Sequence, residues 1–316
     1  MRGLLVLFPG SDIADLDGAV VGTDDVIVSR PIQQVANRLA CAGFVTLRYN
    51  KRFVTGPTSA DRAKFDALSG ADFASDGRTA LAFLRARPAL SGLPVGLVGW
   101  SEGTTVAMAV GNSQPEVRAL VLMAPVVAPS AQVTQLQYAR IGKPYLLRYA
   151  TGGALNAAAI ARADGGDGGI LAHLFVRMYR GFAPGERVNP LLDTNKDGKI
   201  SFAEADPIIA SWYADDPASG LGAASTARAL SGIAAAFTPT TPPILILQGL
   251  HDSMIGPEAA QAFARQQPRQ RVRLITYPGL GHSLGHAATA QRDGLLPVAK
   301  LPLDDMARWL QQTLHN

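Results

Sequence analysis

The stretch VGLVGWSEGTTVAMAV, residues 95–110, decides how the chain is read. Its first six residues are an unbroken apolar run after Pro94, the pattern of a strand buried on both faces. From Ser101 onward the small and apolar residues read as a helix. At the junction stands Gly99-Trp100-Ser101-Glu102-Gly103, a G-x-S-x-G placed where a strand ends and a helix begins. A turn that tight needs flanking positions nearly free of side chain, hence the two glycines. It lifts the Ser101 hydroxyl to the top of a sheet. It also leaves the N–H of Glu102 free at a helix N-terminus, where an oxyanion can bind.

Outward from this point the first half of the chain alternates two periods. LLVLF (4–8), FVTLRYN (44–50), PVGLVGW (94–100) and VRALVLMAP (117–125) read as strands. RPIQQVANRLACAG (30–43), DFASDGRTALAFLRAR (72–87) and SEGTTVAMAVGN (101–112) read as helices, the first opening on Pro31 and stopping at Gly43. Strand–helix–strand order predicts an α/β fold, a mostly parallel sheet with helices on both faces. The rhythm breaks after residue 129. Residues 130–240 hold Ala-rich helical stretches, a Gly-rich ADGGDGG (163–169) and no convincing strand. PPILILQG (242–249) then restarts the sheet, followed by a helix (256–267), the strand VRLITY (272–277) and the helix DDMARWLQQTL (304–314). The expected organisation is a core of 1–129 and 241–316 interrupted by a helical cap, 130–240.

A serine hydroxyl needs a base, and the base needs an orienting carboxylate. In a parallel sheet these must come from loops on the same edge. Asp252 follows the strand of ILILQG and His282 follows the next, giving the order Ser101, Asp252, His282. His286 lies four residues beyond His282, so a metal pair is a rival reading, though no third ligand is suggested. His251, His173 and His315 read as loop or surface residues. Pro9-Gly10-Ser11 ends the first strand, and the Ser11 N–H is the candidate second oxyanion donor; the alternative is an ordinary turn.

On LRYNKR (47–52), GWSEG (99–103), PPILILQGLHD (242–252) and GLGHSLG (279–285) the chain resembles the α/β-hydrolase superfamily. Within it the likeness is to bacterial esterases of the dienelactone-hydrolase and prolyl-oligopeptidase-like branch. The resemblance implies Ser101 as nucleophile, Asp252 and His282 as its partners, and Ser11 and Glu102 as N–H donors. It covers 1–129 and 241–316. Two departures stand out. Such relatives carry strands before the one that begins at Gly3, which implies a start upstream. They also have Gly after the NKR, where this chain has Phe53.

DTNKDGKISFAE (193–204) resembles an EF-hand calcium loop. Asp193, Asn195 and Asp197 fill positions 1, 3 and 5, with Gly198 at the sharp turn. Lys199 offers its backbone carbonyl, Ser201 stands at 9 and Glu204 at 12, while Ile200 at 8 faces inward. Pro190 and Pro207 flank the loop, so a long unbroken exiting helix is not expected. There is no second copy to pair with. The expectation is a structural Ca²⁺ stapling the cap, with no cofactor needed for the chemistry.

The 316 residues are 47% hydrophobic and 17% charged, with a net charge of +4, and they lack the Lys/Arg clustering a nucleic-acid site needs. No run approaches the ~20 apolar residues of a membrane span. The single cysteine, Cys41, excludes an internal disulfide and reads as a small core residue. The apolar start after Met1-Arg2 is too short for a signal-peptide core, so the chain as written reads as cytoplasmic. With a start upstream it would be secreted or periplasmic. The leading expectation is a serine hydrolase of small carboxylic esters acting through an acyl-enzyme, with the cap as lid. A thioesterase or peptidase would use the same residues. A non-catalytic calcium-dependent binding protein on this scaffold is the reading from another class. Oligomeric state does not follow from the sequence.

Overall fold

Six strands, of which β1 and β3 are unbroken apolar runs, form one sheet: β1 Leu4–Phe8, β2 Val45–Leu47, β3 Val95–Trp100, β4 Val117–Met123, β5 Ile244–Gly249 and β6 Val272–Tyr277. The computed structural model describes residues 1–22, 25–181, 183–212 and 229–315. The strand order is β6-β5-β4-β3-β1-β2, and every neighbouring pair is parallel. Side chains of a strand alternate between faces, and β1 shows the consequence. Leu5 and Leu7 join one apolar cluster, while Leu4, Val6 and Phe8 join the other.

Among the described residues, nine helices of eight residues or more surround or extend this sheet: α1 Pro31–Cys41, α2 Gly70–Arg85, α3 Gly103–Ser113, α4 Ser130–Gln137, α5 Ala157–Asp164, α6 Ile170–Arg180, α7 Phe202–Trp212, α8 Pro257–Gln266 and α9 Lys300–His315. Helices α1 and α9 cover the first face, and α2, α3 and α8 the second. In α1 the buried stripe Ile32, Val35, Ala36, Leu39 follows helical spacing. Cys41 falls two residues past Leu39, on the opposite side, and is exposed rather than part of the core. The start of α2 is fixed by a reciprocal cap. The Asp72 N–H donates to the Ser69 hydroxyl, and the Ser69 N–H donates to the Asp72 carboxylate.

Residues from Tyr138 to Ile209 build a third apolar cluster, against which Met254 and Ala290 of the sheet-end loops also pack. Within this insertion Ala154–Asn156 and Lys199–Ser201 pair as antiparallel strands, where the sequence showed none. Three residues are too few to display a period. Pro207 lies inside α7, which nonetheless runs eleven residues. A proline removes one helical N–H donor, and here the buried face of Phe202, Ala205 and Ile209 holds the helix through it. Two further hairpins, Val20–Val21 with Ile27–Ser29 and Val54–Gly56 with Ser59–Ala60, were equally unreadable from pattern. Among the described residues no helix is long and apolar enough to cross a membrane.

Leu97, fully buried in the middle of β3, tests the two-faced core. Leu97→Ala should cost about 2–5 kcal/mol, read as a lower urea midpoint with an unchanged denaturant slope.

Candidate active site

Strands β1 and β3 are neighbours whose onward connections leave in opposite directions, β1 toward β2 and β3 toward β4. Open parallel sheets bind ligands in the crevice beyond the strand ends at such a point. Ser101 stands there, at the end of β3, with φ at +55°. A left-handed non-glycine residue costs about 1–3 kcal/mol and persists only where its surroundings impose it. Here backbone imposes it. A Cβ on Gly99 would lie 2.3 Å from the Gly103 carbonyl oxygen, and one on Gly103 would lie 2.4 Å from that of Phe8. The start of α3 is therefore pressed directly on the ends of β3 and β1.

The same approach brings in the loop after β1. A Cβ on Gly10 would sit 3.5 Å from the Ser101 Cβ, so the Pro9-Gly10-Ser11 corner flanks the serine. The Ser11 and Glu102 N–H groups meet no acceptor among the described residues. Buried Lys51 links the two corners: its Nζ donates to Glu102 Oε2 at 2.7 Å and to the Asp12 carbonyl at 3.3 Å. Lys51 stands within LRYNKR, where nothing in the sequence marks it for a role. Next to it, Phe53 stands at φ +65°, a conformation that suits the glycine its relatives were expected to carry.

Asp252 and His282 emerge beyond β5 and β6, on the same edge as Ser101. Asp252 is fully buried. Its Oδ1 accepts the N–H groups of Met254 at 2.9 Å and Ile255 at 2.8 Å, and its Oδ2 accepts Gln248 Nε2 at 2.9 Å. The imidazole Nδ1 of His282 is 3.0 Å from each carboxylate oxygen. A carboxylate so supplied is an acceptor, which places the proton on Nδ1 and leaves Nε2 to receive one. Among the described residues the Ser101 hydroxyl makes no hydrogen bond, and bonds of this kind commonly tighten only around substrate. The link between the two residues is Trp100, whose Nε1 donates to the His282 carbonyl at 3.0 Å and whose ring centroid lies 5.6 Å from the imidazole.

Burial alone would lower the affinity of His282 for a proton. The Asp252 charge and hydrogen bond, with a further push from Asp293, outweigh that and hold the imidazole above its ordinary value. Gln248 and Asp293 were absent from the sequence reading. Gln248 had one local sign, a polar residue closing an apolar strand. Asp293 had none, because His282 and Ser253, which it joins, lie eleven and forty residues away.

The remaining histidines separate cleanly. His286 is exposed. His251 Nδ1 bonds the Ala287 carbonyl at 2.7 Å, and His315 is exposed at the end of α9. His173 is buried, contrary to the surface position expected, with Nδ1 3.1 Å from the Gly169 carbonyl oxygen and Nε2 3.0 Å from that of Asp164, one of which its single N–H meets.

In the loop 193–204, Gly198 adopts φ +79° at the turn and Ile200 is fully buried. Asp193 accepts the N–H groups of Asp197 at 3.1 Å and Gly198 at 3.0 Å, and Asn195 Oδ1 accepts that of Asp197 at 2.9 Å. Lys199 begins the short strand that carries Ser201. Glu204 bonds Ser201, Thr194 and the Asn195 N–H, and these bonds, led by the Ser201 hydroxyl, lower its pKa to about 2. Its carboxylate therefore stays charged. The side-chain donors are all oxygen, a set that fits a hard cation. The carboxylates rest on the loop's own N–H groups, and among the described residues no three His, Cys, Asp or Glu side chains are gathered as for a metal.

Fold and strand-end arrangement together define an α/β hydrolase. The chain belongs to the family described as serine aminopeptidase, S33, which matches residues 28–286. That span includes Ser101, Asp252 and His282 and begins after β1. No curated protein matches the sequence. Among solved structures, the α/β hydrolase GrgF from Penicillium sp. sh18 is similar over 100% of this chain and 91% of its own, at 14% identity and a TM-score of 0.51. Est1E from Butyrivibrio proteoclasticus, solved with ferulic acid, is 14% identical over 98% of this chain and 87% of its own, with a TM-score of 0.47. The 2,6-dihydroxy-pseudo-oxynicotine hydrolase is 13% identical over 99% of this chain, with a TM-score of 0.47, and the chain spans 61% of that protein's length. At such identities the likeness is one of fold.

A raised imidazole means that the Asp252–His282 pair stabilises the fold below the ordinary histidine range. That contribution is lost as pH climbs through the raised value. Asp252→Asn should move the His282 midpoint down, as read by NMR titration of the imidazole; a midpoint that stays or rises contradicts the electrostatic account.

Proposed function

We propose that the chain is a serine hydrolase of carboxylic esters, an esterase of the dienelactone-hydrolase and prolyl-oligopeptidase-like kind, working through an acyl-enzyme. The observation that carries this reading is the buried Asp252–His282 pair, at 3.0 Å, on the sheet edge where Ser101 is held at φ +55°. His282 Nε2 takes the Ser101 proton as Oγ bonds the ester carbonyl carbon. The N–H groups of Ser11 and Glu102 receive the developing oxyanion, each worth on the order of 3 kcal/mol of barrier. Collapse breaks the bond to the alcohol, which leaves with the proton from His282. Water then attacks the acyl carbon, giving its proton to His282, and the acid departs as Ser101 is restored. Asp252 stays ionised throughout and orients the ring. The substrate is a small ester, and the cap (130–240) shapes its pocket as a lid.

The family's description favours one second reading, an aminopeptidase using the same three residues. Esters are ranked first because a serine centre acylates more readily from an alkoxide leaving group than from an amine. A panel of p-nitrophenyl esters of rising chain length, beside an aminoacyl p-nitroanilide and a thioester, separates these. Ser101→Ala or His282→Ala should lower turnover by a factor on the order of 10⁴ to 10⁶. Ser101→Ala should also abolish fluorophosphonate labelling. A loss under tenfold contradicts the roles, and no labelling of the folded wild-type protein favours a non-catalytic, calcium-dependent binder.

The reading includes a structural Ca²⁺ held by Asp193, Asn195, Asp197, the Lys199 carbonyl, Ser201 and Glu204, supported by the Gly198 turn, the inward Ile200 and the oxygen donors. Bound there, the ion would supply charge to order the loop and no step of the chemistry. Chelation should lower the thermal midpoint, and Glu204→Ala should remove most of the difference between chelated and calcium-loaded protein. Equal midpoints in both conditions contradict it.

A further inference from the structure

Behind His282 lies a second buried carboxylate that the proposed chemistry does not use. Asp293 is 1% exposed and closes the short 3₁₀ turn Ala290–Arg292. All four of its side-chain partners are donors. Oδ2 accepts the His282 N–H at 2.8 Å, the Ser253 N–H at 3.1 Å and the Ser253 hydroxyl at 3.0 Å, and Oδ1 accepts the Leu295 N–H at 3.1 Å. Ser253 follows Asp252 directly, so a single oxygen joins the loop that carries the base to the loop that carries its carboxylate. The place is built for it: a Cβ on Gly281 would lie 2.2 Å from Asp293 Oδ1, so only glycine before His282 leaves the carboxylate room.

The backbone of the same residue receives the cap. The Ile170 N–H, at the start of α6, donates to the Asp293 carbonyl at 3.2 Å, and the Gly169 N–H donates to that of Gln291 at 2.7 Å. A Cβ on Gly169 would stand 2.1 Å from the Asp293 carbonyl oxygen, and beside this contact Arg292 pairs with Asp167. Cap anchor and catalytic loops thus meet at one residue.

We propose that Asp293 is a positioning residue for the hydrolytic centre, holding the His282 and Asp252 loops at fixed spacing through Oδ2 and tying that spacing to the seat of α6. The proposal rests on the triad reading of Ser101, Asp252 and His282. Displacing a catalytic group by about 1 Å costs on the order of 100-fold in rate. Asp293→Asn keeps the shape but turns an amide NH₂ toward groups that are all donors. It also removes a negative charge near His282. The other charge acting on the ring is the Asp252 carboxylate, while Arg140 reaches the Asp252 backbone carbonyl at 3.4 Å.

The test is steady-state hydrolysis of a p-nitrophenyl ester by full-length Asp293→Asn across pH, with Ser101→Ala run beside it. The expected result is a kcat lower by about 10- to 100-fold, KM within threefold, and an acid limb moved to lower pH because one of the charges that raise His282 is gone. Parental kcat, or a lower kcat with the limb unmoved, overturns the proposal while leaving the triad standing. If Ser101→Ala keeps both turnover and labelling, the triad reading falls and the proposal with it. Should Asp293→Asn not fold, Ser253→Ala releases one of the three bonds on Oδ2. A kcat lowered threefold or more at constant KM then supports the proposal, and parental kcat overturns it.

Discussion

Backbone packed on backbone at the end of β3 is the constraint from which the rest of the site follows. Gly99, Gly103 and the ends of β1 leave no space for a side chain, and the chain can pass only by taking Ser101 into the left-handed region. That single conformation sets the direction of the hydroxyl, frees the Glu102 N–H and brings the Ser11 corner alongside. The strain of about 1–3 kcal/mol is sustained by the buried sheet beneath, where every residue of β1, β3 and β5 is shielded from water.

His282 is fixed from three sides by groups of different origin. Its ring is held by Asp252, its N–H by Asp293 and its carbonyl by Trp100, the residue before the serine. The insertion shares these supports. Gln137 Nε2 donates to the Met254 carbonyl at 3.0 Å, and Arg140 reaches the Asp252 carbonyl. Arg140 lies on the π-helical turn Tyr138–Gly142, and Tyr138 bonds Tyr179 of α6 at 2.6 Å and Asp206 of α7 at 3.1 Å. Wider i→i+5 turns are common at functional sites. The third apolar cluster is therefore packed and hydrogen-bonded onto the loops that carry Asp252 and His282.

How much of this was legible follows from the range of each signal. The sheet was readable because β1 and β3 are continuous apolar runs and the other strands are largely apolar, and α1 because Ile32, Val35, Ala36 and Leu39 keep one face. Ser101, Asp252 and His282 could be named as candidates because each stands within five residues of the end of a strand. What escaped was non-local or short. Asp293 acts across eleven residues on one loop and forty on another, and Lys51 bridges corners that only folding brings together. The three-residue strands of the insertion show no period, and Pro207 misleads because a buried helix face can override one missing donor. Cys41 and His173 were misplaced for a common reason. A residue's type predicts its depth only on average, whereas the helical angle from Leu39 and the two carbonyls around His173 decide these cases.

The exposure of Cys41 has a practical corollary. Helix α1 runs back against the strands, and the Gly43 carbonyl just beyond it takes the Arg2 N–H at the amino end of β1. The sole thiol of the sequence therefore projects from the rim opposite Ser101. A maleimide fluorophore or a gold surface would attach at one defined point and leave the crevice facing outward, giving uniform orientation without engineering a tag.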